Sequence, residues 1–431
     1  MGSFDQKPVV GPPQWPVGSI IQCAGVPIAS VSLPGGPGVL PTIAGQPDPA
    51  WLLCDGSPIQ RAQYPKLSNS FGGSIGPGTF TGTIRTLAST PQTNTIASNG
   101  TTIVASGSST AAQVSSNSGV TWSAPTMAAS INVQALNWNG TVYVAGPSGA
   151  QVCQYSTVGT GTWTVCTGAV SGVTGLASNT SNGAMVLVDS ATGSVWSSPS
   201  SAAAAPAFVT SALASGSLGA AMSKTPVVYS GTQFILFSYQ AVGQGYQVST
   251  AGLTGTWTAN PNPPWGMAVI IGAASDGANN VLAVIAGSSV AYKSNDGGST
   301  WKRIILPGVI SNTGNTLGSS VSYANGRFFV TLINMDHSTA YSDGSMAVSS
   351  DLKSWAVIPS IGIDQSASTA IPTQVSYQGG NYVFINTINS TCVTATENLQ
   401  QMYLPVTRGS LVNGSTVLLT VGTQPQYIRC Q

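Results

Sequence analysis

Ser-Asn-Asp-Gly-Gly-Ser-Thr-Trp, residues 294 to 301, decides the fold, because the pattern Ser294, Asp296, Gly298, Thr300, Trp301 returns along the chain in progressively altered spelling. A nearly intact copy stands at Ser115, Asn117, Gly119, Thr121 and Trp122, with Asn in place of Asp. Weaker versions occupy 156–163 (STVGTGTW), 249–257 (STAGLTGTW) and 349–355 (SSDLKSW), and two more are read at 197–208 and 394–403. Read by their closing aromatics, Trp122, Trp163, Phe208, Trp257, Trp301, Trp355 and Tyr403, the copies recur at steps of 41 to 54 residues. A unit repeating at that period is one small sheet of a repeat architecture.

Upstream of each aromatic lies a second phrase, a Gly-centred turn followed by an apolar, β-branched run, as in SNGTTIVAS (98–106), SNGAMVLVD (181–189), ANGRFFVTL (324–332) and VNGSTVLLTVG (412–422). Asn-Gly supplies positive φ at low steric cost, so apolar runs on either side read as a hairpin. Together the two phrases give each unit four strands. The Gly-turn phrase occurs eight times against seven closing aromatics. We read an all-β ring of about eight four-stranded blades over 79–431, in which the strand Thr79–Leu87 completes the C-terminal unit at 409–431. Seven blades with an extra C-terminal hairpin is the alternative. Within the Ser-x-Asp pattern a short Asp or Asn accepts bonds from amides two or more residues on, and Gly relieves a left-handed backbone. The Trp anchors the following strand in an apolar seam. All ten box residues therefore read as structural.

This spelling resembles the Asp-box repeat of β-propellers of the bacterial neuraminidase type. The resemblance implies radially arranged blades, with the box at the turn between third and fourth strands. It does not imply sialidase chemistry, since such boxes occur in many propellers without enzymatic activity. Ahead of the repeats, Pro16-Val17-Gly18-Ser19-Ile20-Ile21, Trp51-Leu52-Leu53-Cys54-Asp55-Gly56, Tyr64-Pro65-Lys66-Leu67 and Thr79-Phe80 follow one another in an order similar to the phage tail collar domain. The match covers about 16–86 and departs at its end, where Thr83-Ile84-Arg85-Thr86-Leu87 replaces the family's L-P-D-x-R-G. The expected organisation is an extended Pro-rich arm at 1–15, a collar-like β-rich domain at 16–78, and the propeller.

Charged residues make up 5% of the chain and the formal net charge is +1. That leaves no electrostatic footprint for nucleic acid or an acidic membrane. No run of eighteen apolar residues is present, so membrane insertion is not expected. A basic region followed by an apolar core is also missing near the N-terminus, so no secretory signal is expected; a virion protein assembled in the host cytoplasm needs none. Six cysteines (23, 54, 153, 166, 392 and 430) show no metal-ligand spacing, and the only histidine is His337, so neither a metal nor another cofactor is expected. Cys153 and Cys166 flank one of the box turns and are candidates to face each other.

Sialidase chemistry needs three arginines around a carboxylate and a Tyr with a Glu. The chain has six arginines, none in a recognisable motif, and a single glutamate, Glu397. An ordinary glycosidase needs two carboxylates flanking the bond, and no such pair is recognisable, so no catalytic residue is assigned. Binding has the better physical basis: propeller rims carry loops whose aromatics stack on sugar rings while Asn, Ser and Thr bond hydroxyls. The candidate contacts are Tyr239, Tyr246, Trp265 and Tyr341. The expected function is a structural protein of a bacteriophage tail tip or fibre, held to other tail proteins through arm and collar, with host-glycan binding as a second duty. The alternative is a secreted or surface adhesin, or a polysaccharide depolymerase of sialidase-like kind.

Overall fold

The computed structural model describes most of residues 58–403, apart from 71–76, 89–92, 108–111, 190–192, 200–204, 215–225, 239–244, 311–320, 334–344, 359–371, 387–390 and a few single positions. Outside that span it describes only the strands at 20–22, 30–33, 36–41, 51–53 and 426–429. The expected arm at 1–15, with His337 and three of the cysteines, lies outside the described residues.

The chain is a seven-bladed β-propeller. Its innermost strands are Thr93–Ser98, Val133–Trp138, Gly175–Ser178, Val227–Tyr229, Ile270–Ser275, Val321–Ala324 and Pro372–Gln378, and each opens an antiparallel meander. The second strands read as unbroken apolar runs. Ile103–Gly107, Tyr143–Pro147 and Met185–Asp189, for example, are buried at every position. A strand covered on both faces has no solvent side to alternate toward, hence the continuous pattern. Its side chains still point alternately to the two neighbours. Ile103 and Ala105 pack with Val383 and Ile385 of the seventh blade, while Val104 between them packs with Tyr143 and Trp163 of the second. The apolar interior is accordingly divided into clusters lying between adjacent blades.

The ring closes through Thr79–Thr86, which pairs antiparallel with Thr391–Asn398 over eight residue pairs, from Thr79↔Asn398 to Thr86↔Thr391, and so becomes the outer strand of the seventh blade. The eight-blade reading is thereby corrected to seven. Closure falls on the blade before the one expected, and Gln426–Arg429 instead lies between Ile20–Gln22 and Trp51–Leu53 in a separate three-stranded sheet. The eighth Gly turn, at 412–422, lies outside the described residues. The box aromatics had the right count. Tyr403, the seventh, accepts the Phe80 amide at 2.9 Å through its hydroxyl and fastens the closing strand.

The segment just ahead of the closing strand is docked on the same blade. Pro58–Gln60 pairs with Gln401–Tyr403. The buried Arg61 guanidinium bonds the Gln401 carbonyl at 3.1 Å, Ser68 Oγ at 3.2 Å and the Pro77 carbonyl at 2.6 Å. A short helix, Pro65–Ser70, buries Leu67 completely.

Candidate binding site: box turns, channel and an aromatic cleft

In the first, second, fourth, fifth and sixth blades the box turn is organised by its serine. In the fifth blade, Ser294 Oγ accepts the Gly298 amide at 2.8 Å and donates to Asp296 Oδ1 at 2.7 Å; Asp296 in turn accepts the Thr300 amide at 2.8 Å and the Thr300 hydroxyl at 2.5 Å. Ser115, Asn117, Gly119 and Thr121 repeat the arrangement, with Asn117 Oδ1 taking the Thr121 amide at 2.9 Å. Burial by itself would raise the Asp296 carboxyl, but the bonds from Thr300, Ser294 and Ser299 outweigh it and hold it below its ordinary value. Asp351 in the sixth blade is lowered in the same way, chiefly by the Ser354 and Lys353 amides working against burial.

The box glycine has a second task that reaches across blades. Gly119, Gly159, Gly252 and Gly298 all have φ between +71° and +94°. A Cβ on them would meet Val383, Val104, Val186 and Ile235 respectively, at 2.8, 2.6, 2.4 and 2.4 Å. Those four residues lie on the second strand of the preceding blade. The turn is thus an inter-blade joint.

Two concavities follow from this frame. The channel along the ring axis holds about 680 Å³ and is lined by residues of the seven inner strands and their turns. Its polar groups are neutral, among them Gln134, Asn137, Ser178, Tyr229 and Gln374, except for Asp276. Asp276 caps its own turn, accepting the Ala278 and Asn280 amides at 2.7 and 3.0 Å. It does not face a second carboxylate across the lining.

The second concavity, about 420 Å³, lies between the fourth and fifth blades and is lined by Tyr246, Asn260, Pro261, Asn262, Pro264, Ser299, Thr300 and Trp301. The Asn-Pro-Asn-Pro-Pro-Trp run at 260–265 leaves the fourth blade's outer strand and turns back, with Gly266 N–H on the Pro263 carbonyl at 3.0 Å. Tyr292 pins this turn by donating to the Pro264 carbonyl at 3.2 Å. Beneath it Phe237, Tyr246, Trp265, Tyr292 and Trp301 form one aromatic cluster. Tyr246 to Trp265 is 5.5 Å between centroids, Trp265 to Trp301 5.3 Å edge-on, and Tyr246 to Trp301 5.9 Å edge-on.

Trp301, like Trp355 of the sixth blade, leaves its indole N–H out of the bond that the other box tryptophans make. Trp122, Trp163 and Trp257 return the indole N–H to the box-glycine carbonyl, at 2.9, 3.1 and 3.2 Å. In the fifth blade that carbonyl, Gly298 O, is taken by the Tyr246 hydroxyl from the neighbouring blade at 3.1 Å. The Trp301 indole N–H, turned toward Tyr246, closes no hydrogen bond of ordinary geometry. Burial raises the Tyr246 phenol, keeping it a donor.

Of the four aromatics expected at a ligand, Tyr246 lines the cleft, whereas Trp265 does not line it and is buried at 7% exposure against Tyr246 and Trp301. Tyr239 and Tyr341 lie outside the described residues. The sequence reading missed Trp301, Asn260 and Asn262 as cleft residues. The Asn-Pro-Asn-Pro-Pro-Trp spelling was the available signal, since such a run must leave the sheet. One further polar cluster joins the sixth and seventh blades. Glu397 accepts from Arg327 Nε at 3.1 Å, the Tyr382 hydroxyl at 3.0 Å and the Gly78 amide at 2.7 Å. With a side-chain exposure of 9%, this carboxylate is committed to the joint. Among the described residues no group of three metal-ligating side chains occurs, and no helix is long and apolar enough to cross a membrane.

No family model matches the chain, and no curated protein matches it. Solved structures do share the fold. One is YCF48 bound to D1 peptide, at TM-score 0.50 and 10% identity, covering 74% of this chain and 97% of that one. Another is a catalytically inactive virginiamycin B lyase from Staphylococcus aureus with quinupristin, at TM-score 0.53 and 10% identity, covering 74% and 100%. At such identity the likeness is one of fold.

Proposed function

We propose that this propeller is a binding module of a bacteriophage tail, at its tip or fibre, and that it holds a neutral glycan of the host surface in the cleft between its fourth and fifth blades. The observation that carries the glycan reading is the lining of that cleft. An indole and a phenol stand beside two asparagines, a serine and a threonine, and no charged side chain intrudes. A pyranose offers an apolar face and a rim of hydroxyls, which this set complements by stacking and neutral hydrogen bonds. The tail assignment rests on the collar-like spelling over 16–86, and the Asp-box reading of the turns on their Ser-x-Asp-x-Gly-x-Thr-Trp spelling. The segment at 58–70, docked on the closing blade, suits an attachment through the N-terminal part of the chain.

Two experiments test the two halves separately. Purified protein is titrated with the envelope polysaccharide of its host, and Trp301→Ala is expected to weaken binding about tenfold, roughly 1.4 kcal/mol. Equal affinity of variant and parent would remove the cleft from the argument. For the tail assignment, electron microscopy of assembled particles should place residues 16–70 against other tail proteins; a particle lacking this chain would favour the adhesin or depolymerase reading.

A further inference from the structure

In the second blade, Cys153 and Cys166 stand directly opposite each other, one step beyond the paired residues Gln154↔Val165 and Tyr155↔Thr164. The Cys166 amide donates to the Cys153 carbonyl at 2.9 Å, so the pairing extends through the cysteines themselves. Opposed residues of an antiparallel pair project to the same side. Here both side chains enter the seam between the second and third blades, among Val142, Val144, Val170 and Phe208, and the sulfurs lie 2.7 Å apart. A disulfide measures about 2.05 Å. Less than an ångström separates these two atoms from a bond.

The surroundings narrow the chemistry. The seam is apolar, Cys153 and Cys166 are 0% and 5% exposed, and no group of three metal-ligating side chains is present among the described residues. The remaining described cysteine, Cys392, belongs to a different seam, between the seventh and first blades. We propose that Cys153 and Cys166 are joined by a disulfide once the protein meets an oxidising medium containing a small disulfide such as oxidised glutathione. The Cys166 thiolate, on the side nearer solvent, attacks one sulfur of that disulfide and releases the first glutathione thiolate. Cys153, giving up its proton, then attacks the Cys166 sulfur of the mixed disulfide and releases the second. Two protein thiols are oxidised and one glutathione disulfide is reduced to two thiols.

Access is through the outer strand. Thr164–Val165 is two residues long with both side chains exposed, and lifting it uncovers Cys166. Burial holds the Cys153 thiol well above its usual range, which makes exchange slow while the blade is shut and shelters the bond once formed. The staple ties this two-residue outer strand to its blade. A protein that works outside the cell gains it there, after passing through a reducing cytoplasm without it. This inference does not depend on the glycan reading.

The chain supplies a clean assay. Arg85 and Lys224 are consecutive tryptic sites, and the peptide between them contains Cys153 and Cys166 and no other cysteine. Protein refolded with glutathione disulfide is treated with iodoacetamide in denaturant and digested. The expected peptide is lighter by two hydrogen atoms and takes two alkyl groups only after reduction. A peptide that takes two alkyl groups without reduction, or that carries glutathione or a link to another cysteine, overturns the proposal. As a second measurement, the oxidised protein should unfold at higher urea than the reduced one. In Cys153→Ala/Cys166→Ala the redox state should make no difference; an equal shift there would also count against it.

Discussion

Replacing Gly298 by alanine tests whether the box turn is a joint between blades or a local cap. Two costs are separable in the structure. Gly298 has φ +94°, where an L side chain is disfavoured by about 1–2 kcal/mol. The added Cβ would also lie 2.4 Å from Ile235 Cδ1 in the preceding blade, an overpacking of about 1–3 kcal/mol. Their sum is about 2–5 kcal/mol. Because the next Ile235 atom is Cγ1 at 3.3 Å, removing Cδ1 by Ile235→Val should relieve the clash and leave the backbone cost. Equilibrium urea unfolding of the four proteins in the cycle gives the coupling directly. Gly298→Ala should cost about 1–3 kcal/mol less in the valine background than in the parent. Additive effects, with the alanine costing the same in both backgrounds, would refute the inter-blade contact and leave only a strained turn.

Three further outcomes are expected. Glu397→Ala strips Arg327 and the Tyr382 hydroxyl of a shared, mostly buried acceptor, and should lower unfolding stability by about 2–4 kcal/mol; a loss under about 0.5 kcal/mol would show that the closure does not depend on it. Because Asp296 and Asp351 are held below their ordinary value of 3.8, their stabilisation is present above that value and is lost as the pH falls through their lower folded values. Urea midpoints should therefore be flat at neutral pH and decline below about pH 4, with a shallower decline in Asp296→Asn, since Asn117 serves the equivalent turn. The Cys392 thiol, pushed up to about 12 mainly by burial, should resist iodoacetamide at pH 8 in folded protein and react in denaturant; rapid native labelling would contradict its burial.

The blades were legible because each is built from local signals. A Gly turn, an apolar run and a Ser-x-Asp turn lie within one unit, and Trp122, Trp163, Trp257, Trp301 and Trp355 mark its end. What stayed hidden depends on partners distant in the chain. Nothing near Gly298 tells that Ile235 will sit against it, and nothing near Thr79 selects Thr391–Asn398 over residues 409–431 as its mate. Tyr246 and Trp265 were recognisable as aromatics near a loop, yet only Tyr246 lines the cleft, while Trp265 packs against the fifth blade's Trp301 and Tyr292. Glu397, the single glutamate, invited a catalytic question, and the answer lay in three donors from three separate stretches of chain.

The closing strand carries a consequence for synthesis. Gly78 and Glu397, bonded at the ring's seam, are separated by 319 positions, so the strand that emerges first from the ribosome waits for nearly the whole ring before its mate exists. Loop closure over such a span is slow, and an open edge with Ile84 half exposed even in the finished ring invites wrong partners meanwhile. Yield in the cell should therefore rise when translation and folding are given time, at lower temperature or with chaperone supply, more than when individual blades are stabilised.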